Sequence, residues 1–252
     1  MSSTSSGPSE APVGEQGFRE LSAPGKVVIV DSQPIFRHGV RAALSEDGAF
    51  TVVAEASCTA EALHLLRRVS CDALITDIPL AGTNGIELMK LVRAEHPRLP
   101  ILVLSLHAEC VFGLRAIRAG ARGFVSKLAD PTAVLRALHE ICLGELAISA
   151  TLSHQLWGIS VAAGECDGPG PVGCLSDREL EVLEHVGQGR STQDIAKRLG
   201  LSSKTIESHR LHVKQKLGLS DTAAMRAFAQ RWYEDSCGLR PLDGGPVMES
   251  RN

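Results

Sequence analysis

Between residues 26 and 143 the chain alternates a short apolar run with an amphipathic stretch, five times over. The runs are KVVIVD (26–31), TVVAEA (51–56), DALITD (72–77), PILVLS (100–105) and RGFVS (122–126). The stretches cover 34–46, 59–69, 84–95, 109–119 and 131–143. Near-continuous Val, Ile and Leu suit strands covered on both faces. Strand alternating with helix implies an α/β domain built on a doubly wound, five-stranded parallel sheet. Pro34 falls in the first turn of its helix, where a missing N–H costs nothing. Gly120 follows the fourth helix as its expected C-cap.

A second pattern begins at residue 175 and is all helix. Ser176-Asp177-Arg178-Glu179 reads as a capping box opening a helix to about Val186, stopped by Gly187 and Gly189. A short helix over 192–199 closes at Gly200, a longer one over 203–217 is capped by Ser202 and stopped by Gly218, and 221–231 forms the last. Short helix, Gly-containing turn and longer helix make a helix-turn-helix. The organisation expected is a disordered tail (1–25), an α/β domain (26–145), a short helix and flexible linker (146–174), a four-helix domain (175–235) and a second disordered tail (236–252). Within the linker, 158–174 is rich in Gly and Pro and lacks an amphipathic period.

No apolar run approaches the roughly 18 residues that span a bilayer. MSSTSSGPSEAP has neither a basic start nor an apolar core, so it does not read as a secretory signal, and a cytoplasmic location is expected. The seven cysteines are odd in number, scattered and without a C-x-x-C pair, which argues against a disulfide framework or a zinc site. The first four, Cys58, Cys71, Cys110 and Cys142, read as small buried apolar residues. The net charge of −3 does not advertise a nucleic-acid binder, so that function needs a local signal.

In an open parallel sheet, ligands sit beyond the carboxyl ends of the strands. Three apolar strands end in polar residues here: Asp31 with Ser32, Asp77, and Ser105; a fourth is followed at once by Lys127. Each alone is an ordinary turn, cap or solvated residue. Together they place two carboxylates, a hydroxyl and an ammonium at one edge. That set suits a divalent cation with oxygen ligands and an anionic group held by Ser and Lys, with a nucleophilic aspartate as phosphoryl acceptor.

VIVDSQPIFRHGV, LITDIPLAGTNGIEL, ILVLS and GARGFVSK resemble the receiver domains of two-component response regulators, over about residues 26–145. The resemblance implies a flavodoxin-like fold, with Asp77 as phosphoacceptor. Asp31 would serve the metal, Mg2+, together with Asp77 and the backbone carbonyl of Pro79. Ser105 and Lys127 would grip the phosphoryl group, and Phe124 is the aromatic that repositions with the hydroxyl. Ser32 stands where the family has a second acid, which implies weaker metal binding. Ala81 and Leu80 replace a usual proline and methionine in the following loop.

In SSKTIESHRLHVKQKL (202–217), Ile206, Val213 and Leu217 recur at helical spacing and should face a core, with Arg210 at its edge. The opposite face carries Lys204, Ser208, Leu211 and Gln215, flanked by Thr205, Glu207 and His212. Short polar groups and an exposed Leu suit base edges and a thymine methyl. Lys204, Arg210, Lys214 and Lys216 supply charge for phosphates. Glu207 could accept from a cytosine amino group or pair with Arg210. This helix alone is equally compatible with an ordinary solvated face.

Residues 175–229 as a whole are similar to a LuxR-type DNA-binding domain, which implies a recognition helix at about 203–217 with Glu207, Ser208 and Leu211 facing bases. A receiver joined to such a domain is the NarL/FixJ type of response regulator. SATLSHQLW (149–157) matches the short helix after the receiver in that family, with Trp157 read as packing. The implied partners are promoter DNA, a sensor histidine kinase, RNA polymerase and a second copy on DNA. A receiver that acts without phosphorylation is the alternative Ser32 favours. A flavodoxin-like enzyme is more distant, since no Gly-rich phosphate loop follows the first strand and few aromatics are present to stack a flavin.

Overall fold

The computed structural model describes residues 25–80, 84–161 and 171–236. The first unit runs β1 (Gly25–Val30), α1 (Pro34–Asp47), β2 (Phe50–Ala56), α2 (Thr59–Leu66), β3 (Ala73–Thr76), α3 (Gly85–Glu95), β4 (Ile101–Ser105), α4 (Glu109–Arg118), β5 (Gly123–Ser126) and α5 (Pro131–Cys142). The strands form one parallel sheet in the order β2-β1-β3-β4-β5. Strand order reverses between β1 and β3, so the switch point lies at their carboxyl ends.

Alternation along each strand splits the sheet's side chains between two faces. Val27, Ile29, Ile75, Leu102 and Leu104 pack with Val40 and Leu44 of α1 and with Val134, Leu138 and Ile141 of α5. Val28, Val30, Leu74, Ile101 and Val103 pack with Ala62 of α2, Met89 and Val92 of α3, and Phe112 of α4. The doubly wound architecture read from the sequence is the one observed, with strand and helix ends within a few residues of expectation.

The second unit contains α7 (Asp177–Gly187), α8 (Thr192–Leu199), α9 (Ser203–Lys216) and α10 (Thr222–Ser236). Ser176 and Glu179 form the expected capping box. Ser191 and Ser202 cap α8 and α9, each accepting a backbone N–H from three residues on. Gly200 ends α8 with φ 63°, a left-handed conformation that only glycine adopts readily. Between the units, α6 (Ala150–Val161) continues beyond Trp157 into the expected linker, and a 3-10 turn over Pro171–Cys174 occupies the linker's other end. The expectations for 1–24, 237–252, Ala81 and the Trp157 side chain lie outside what is described.

The two units share buried surface. Val172, Leu175, Leu180 and Leu183 of the second belong to the same apolar cluster as Phe112, Met89 and Leu80 of the first. One expectation needs correction: Cys58, Cys71, Cys110 and Cys142 are half-buried rather than buried. Burial still raises the Cys71 and Cys142 thiols to about 11, with Asp72 adding to it, so both stay protonated and unreactive near neutral pH.

Candidate functional site

Register brings the site together. Val30 pairs with Thr76, and the Asp77 N–H donates to the Val30 carbonyl at 3.0 Å, so Asp31 and Asp77 leave adjacent strands side by side. Ser105 pairs with Ser126, and the Lys127 N–H donates to the Ser105 carbonyl at 2.9 Å, which carries Lys127 to the same edge. The Lys127 ammonium lies 2.5 Å from a carboxylate oxygen of Asp31 and 2.5 Å from one of Asp77. Ser105 Oγ donates to Asp77 Oδ1 at 2.6 Å, and the Ile78 N–H donates to the same oxygen at 2.7 Å. The Phe36 ring covers Lys127, its centroid 4.2 Å from Nζ.

All four side chains are buried, with Asp77 1 % and Ser105 0 % exposed. Burial pushes the Asp77 carboxyl above its usual range; Lys127 opposes this, Asp31 adds to it, and the hydrogen bond from Ser105 opposes it. A carboxylate held this way is oriented by three donors and partly stripped of water. Phe124 is buried against the sheet, in the apolar cluster that also holds Val103 and Phe112.

The donor set also tests whether a hard divalent cation fits. Asp31 and Asp77 already converge on one ammonium, so two charged oxygens face a common point. Ser32 Oγ donates to the Pro79 carbonyl at 3.4 Å, and both residues line the cavity that holds Asp77. Two carboxylates, a carbonyl and a hydroxyl fit a magnesium ion that keeps several waters, with one charge fewer than an acid at 32 would give.

On α9, Ile206 and Val213 are buried, and Lys204, Glu207, Ser208, Leu211, His212 and Gln215 are exposed. The face derived from helical spacing is therefore open to solvent. Thr205 is half-buried and shares a hydrogen bond with Ser202. Arg210 donates to Thr192 Oγ1 at 2.7 Å, pinning α9 to α8. Lys216 pairs with Glu179 at 2.7 Å, and His212 leans on the same carboxylate at 3.8 Å.

Residues 27–139 match the response regulator receiver domain family, and residues 174–228 match the luxR family of bacterial regulatory proteins. The Fimbriae Z protein of Salmonella typhimurium is 35% identical over 208 residues, spanning 82% of this chain and 97% of that protein. The chain belongs to the NarL/FixJ-type response regulators. The nitrate/nitrite response regulator NarP of Escherichia coli is 32% identical over 83% of this chain and 97% of its own. RcsB of Salmonella enterica serovar Typhimurium, solved on promoter P1flhDC with a phosphomimetic, is 28% identical, with a TM-score of 0.54 over 82% of this chain and 98% of that one.

Three features of the regulator were not read from its sequence. Gly85 opens α3 against the end of β3, where a Cβ would meet the Asp77 carbonyl. His107 pairs with Glu184 of α7, both buried. Glu181 and Glu184, each 0 % exposed, lie between the regulator's two domains. The α7 acids carried a signal: in ELEVLEHV they interrupt what would otherwise be an apolar helix face. Gly85 had none, because close approach is a property of the fold.

Proposed function

We propose that this response regulator accepts a phosphoryl group on Asp77 from a sensor histidine kinase and binds promoter DNA as a homodimer through α9. The observation that carries the first half is the buried Asp77 carboxylate gripped by Ser105 and Lys127 at the switch point of the sheet. An Asp77 oxygen attacks the phosphorus as the P–N bond to the kinase histidine breaks, and the freed imidazole nitrogen takes a proton from water. Lys127 and Ser105 hold the nucleophile and then the phosphoryl oxygens. A magnesium ion held by Asp31, Asp77 and the Pro79 carbonyl, with the Ser32 hydroxyl beside it, would offset the repulsion between phosphoryl group and carboxylate. Ile35 in the first turn of α1 and Leu128 next to Lys127 are 74 % and 85 % exposed, a fitting apolar rim for a docking protein.

The open face of α9 supports the second half: Lys204, Glu207, Ser208, Leu211 and Gln215 present polar and apolar groups to a major groove, and Lys214 and Arg210 lie beside them. One such helix reads few base pairs, so two copies on a symmetric site supply the remaining specificity. RcsB, the relative solved as two dimers on two DNAs, lends support. Bound promoter places the regulator beside RNA polymerase.

Incubating the full chain with acetyl phosphate and magnesium should add one phosphoryl group by intact mass. Asp77→Asn should remove it. Retention of the label in Asp77→Asn would refute Asp77 as acceptor. Genome-wide mapping of bound sites tests the DNA half, with a symmetric motif expected. Ser32 favours a second reading, a receiver that controls DNA binding without phosphorylation; no labelling under saturating magnesium, with DNA binding intact, would establish it.

A further inference from the structure

The receiver and the DNA-binding domain meet along α7, and the middle of that contact is polar and buried. His107 is 6 % exposed, and its Nδ1 pairs with the Glu184 carboxylate. Asn84 Nδ2 donates to Glu181 Oε1 at 2.6 Å. Arg115 of α4, 5 % exposed, donates to the carbonyls of Val172 and Leu175 and to Asp177, which seats the start of α7. A helix face turned inward is ordinarily apolar, and charge there is costly unless paired. The acids at 181 and 184 find receiver partners in Asn84 and His107. Docking is thus specific and directional rather than greasy.

The pair at the centre reaches the phosphoacceptor pocket. His107 donates its backbone N–H to Ser105 Oγ at 3.3 Å, and that hydroxyl donates to Asp77 Oδ1 at 2.6 Å. One line of contacts runs Asp77, Ser105, His107, Glu184, from the acceptor carboxylate into the DNA-binding domain. A cavity of about 640 Å3 separates the domains beside it, with Ser32, Asp77 and His107 on one wall and His185, Arg190 and Arg198 on the other. It has room for a phosphoryl group and waters but not for a protein.

We infer that His107 is the positioning residue through which the state of Asp77 sets the docking of the DNA-binding domain. The inference rests on Asp77 being the phosphoacceptor. A phosphoryl group brings three acceptor oxygens within reach of Ser105, whose hydroxyl then turns from the carboxylate and releases the His107 amide. The added negative charge also draws the His107 ring away from Glu184. Glu184 is fully buried and Glu181 beside it depends on the same contact, so losing the pair leaves a desolvated carboxylate. Opening the interface returns both acids to water. A packed interface of this kind has two arrangements rather than a continuum, which turns a small shift at Ser105 into a domain movement.

Coupling is reciprocal: if a phosphoryl mimic loosens docking by some factor, loosening docking strengthens the mimic by the same factor. The test uses the full chain, magnesium and beryllofluoride, with small-angle X-ray scattering reading docking and calorimetry reading beryllofluoride affinity. His107→Gln and Glu184→Gln should each shift the docked-to-undocked ratio by about a hundredfold or more, the least expected when one partner of a buried charge pair is lost. The double variant should be no worse than either single one. Beryllofluoride should undock the wild type, and both variants should bind it correspondingly tighter. A purely structural His107 would leave that affinity unchanged. Binding of beryllofluoride to the wild type without undocking, or equal affinity in the variants, overturns the coupling alone. No beryllofluoride binding in any of the proteins overturns the phosphoacceptor reading and the coupling together. If Glu184→Gln fails to fold by circular dichroism, Asn84→Asp, which keeps an acceptor for the α3 cap but removes the donor to Glu181, takes its place with the same expected direction.

Discussion

A methyl group on Gly85 would sit 2.0 Å from the backbone carbonyl oxygen of Asp77. The first residue of α3 is thus pressed against the end of β3. The Gly85 N–H donates to the Ile78 carbonyl at 2.7 Å, and Asn84 caps the helix by accepting from Ile86. The clash is with backbone, which no rotamer change relieves. Gly85→Ala should therefore cost about 1–3 kcal/mol of stability, the usual range for overpacking. It should also slow phosphoryl uptake, because the peptide that moves carries the acceptor. Urea unfolding and acetyl phosphate labelling check the two effects, and a full-rate, fully stable variant would show that the contact is slack.

Ser32 sets how strongly the pocket holds a divalent cation. Its hydroxyl donates to the Pro79 carbonyl, one of the oxygens such an ion would use, so it brings no charge and also occupies a lone pair of a neighbouring donor. Ser32→Asp should raise magnesium affinity by about tenfold, since ligand charge count is the main lever on such sites. It should speed labelling of Asp77 at limiting magnesium. Calorimetric titration of both proteins decides it; equal affinities would mean that Ser32 is no handicap.

Much of the molecule was legible because its signals are local or periodic. Strand runs separated by crossover-length stretches admit few topologies, and the polar strand ends Asp31, Asp77, Ser105 and Lys127 converge as a parallel sheet requires. The open face of α9 followed from helical spacing alone. What escaped was non-local. His107 has no assigned role until α7 is laid beside it, and the acids that interrupt the apolar face of α7, Glu181 and Glu184, do not by themselves name their receiver partners. The pairing of Lys216 with Glu179 likewise depends on how α7 and α9 pack. Sequence periodicity specifies each helix's own faces but not which neighbour covers them.

Docking should weaken as pH rises. Burial opposes a charge on His107, but the Glu184 carboxylate outweighs it, helped by Glu181 and Asp77, and holds the imidazole above its ordinary value of 6.5. Burial lifts Glu181 to about 7 despite Arg178 and His107, with Glu184 adding to the rise. His185, which faces the same cluster with Phe112 and Arg190, is held at about 4 by burial and by His107 and stays neutral. Both shifted groups bind protons more tightly when docked than when exposed. Their contributions are complete below the ordinary values of 6.5 for His107 and 4.5 for Glu181. They fade as pH passes 7 for Glu181 and the raised value for His107. Small-angle scattering across a pH series should show a larger radius of gyration at the alkaline end, and His107→Gln should flatten the upper part of that profile. A radius independent of pH would remove this cluster from control of docking.

The α9 face divides into groups that should read sequence and groups that should hold the backbone. Leu211 is 48 % exposed and Ser208 is exposed one turn earlier on the same face of the helix. Leu211→Ala should change which bases are preferred, by about 1–3 kcal/mol at the contacted pair, and leave the salt dependence alone. Lys204→Ala, at the exposed start of the helix, should weaken all sequences about equally and lower the salt slope by about one. Lys214→Ala should act in the same sense. Lys216 differs from these because its ammonium is committed to Glu179, the capping-box acid of α7. Lys216→Ala should lower stability by removing one partner of a largely buried carboxylate, and should change DNA affinity less than Lys204→Ala does. Paired binding isotherms on cognate and scrambled duplexes at two salt concentrations separate the three outcomes. If Leu211→Ala weakened cognate and scrambled DNA equally, Leu211 would not be reading bases.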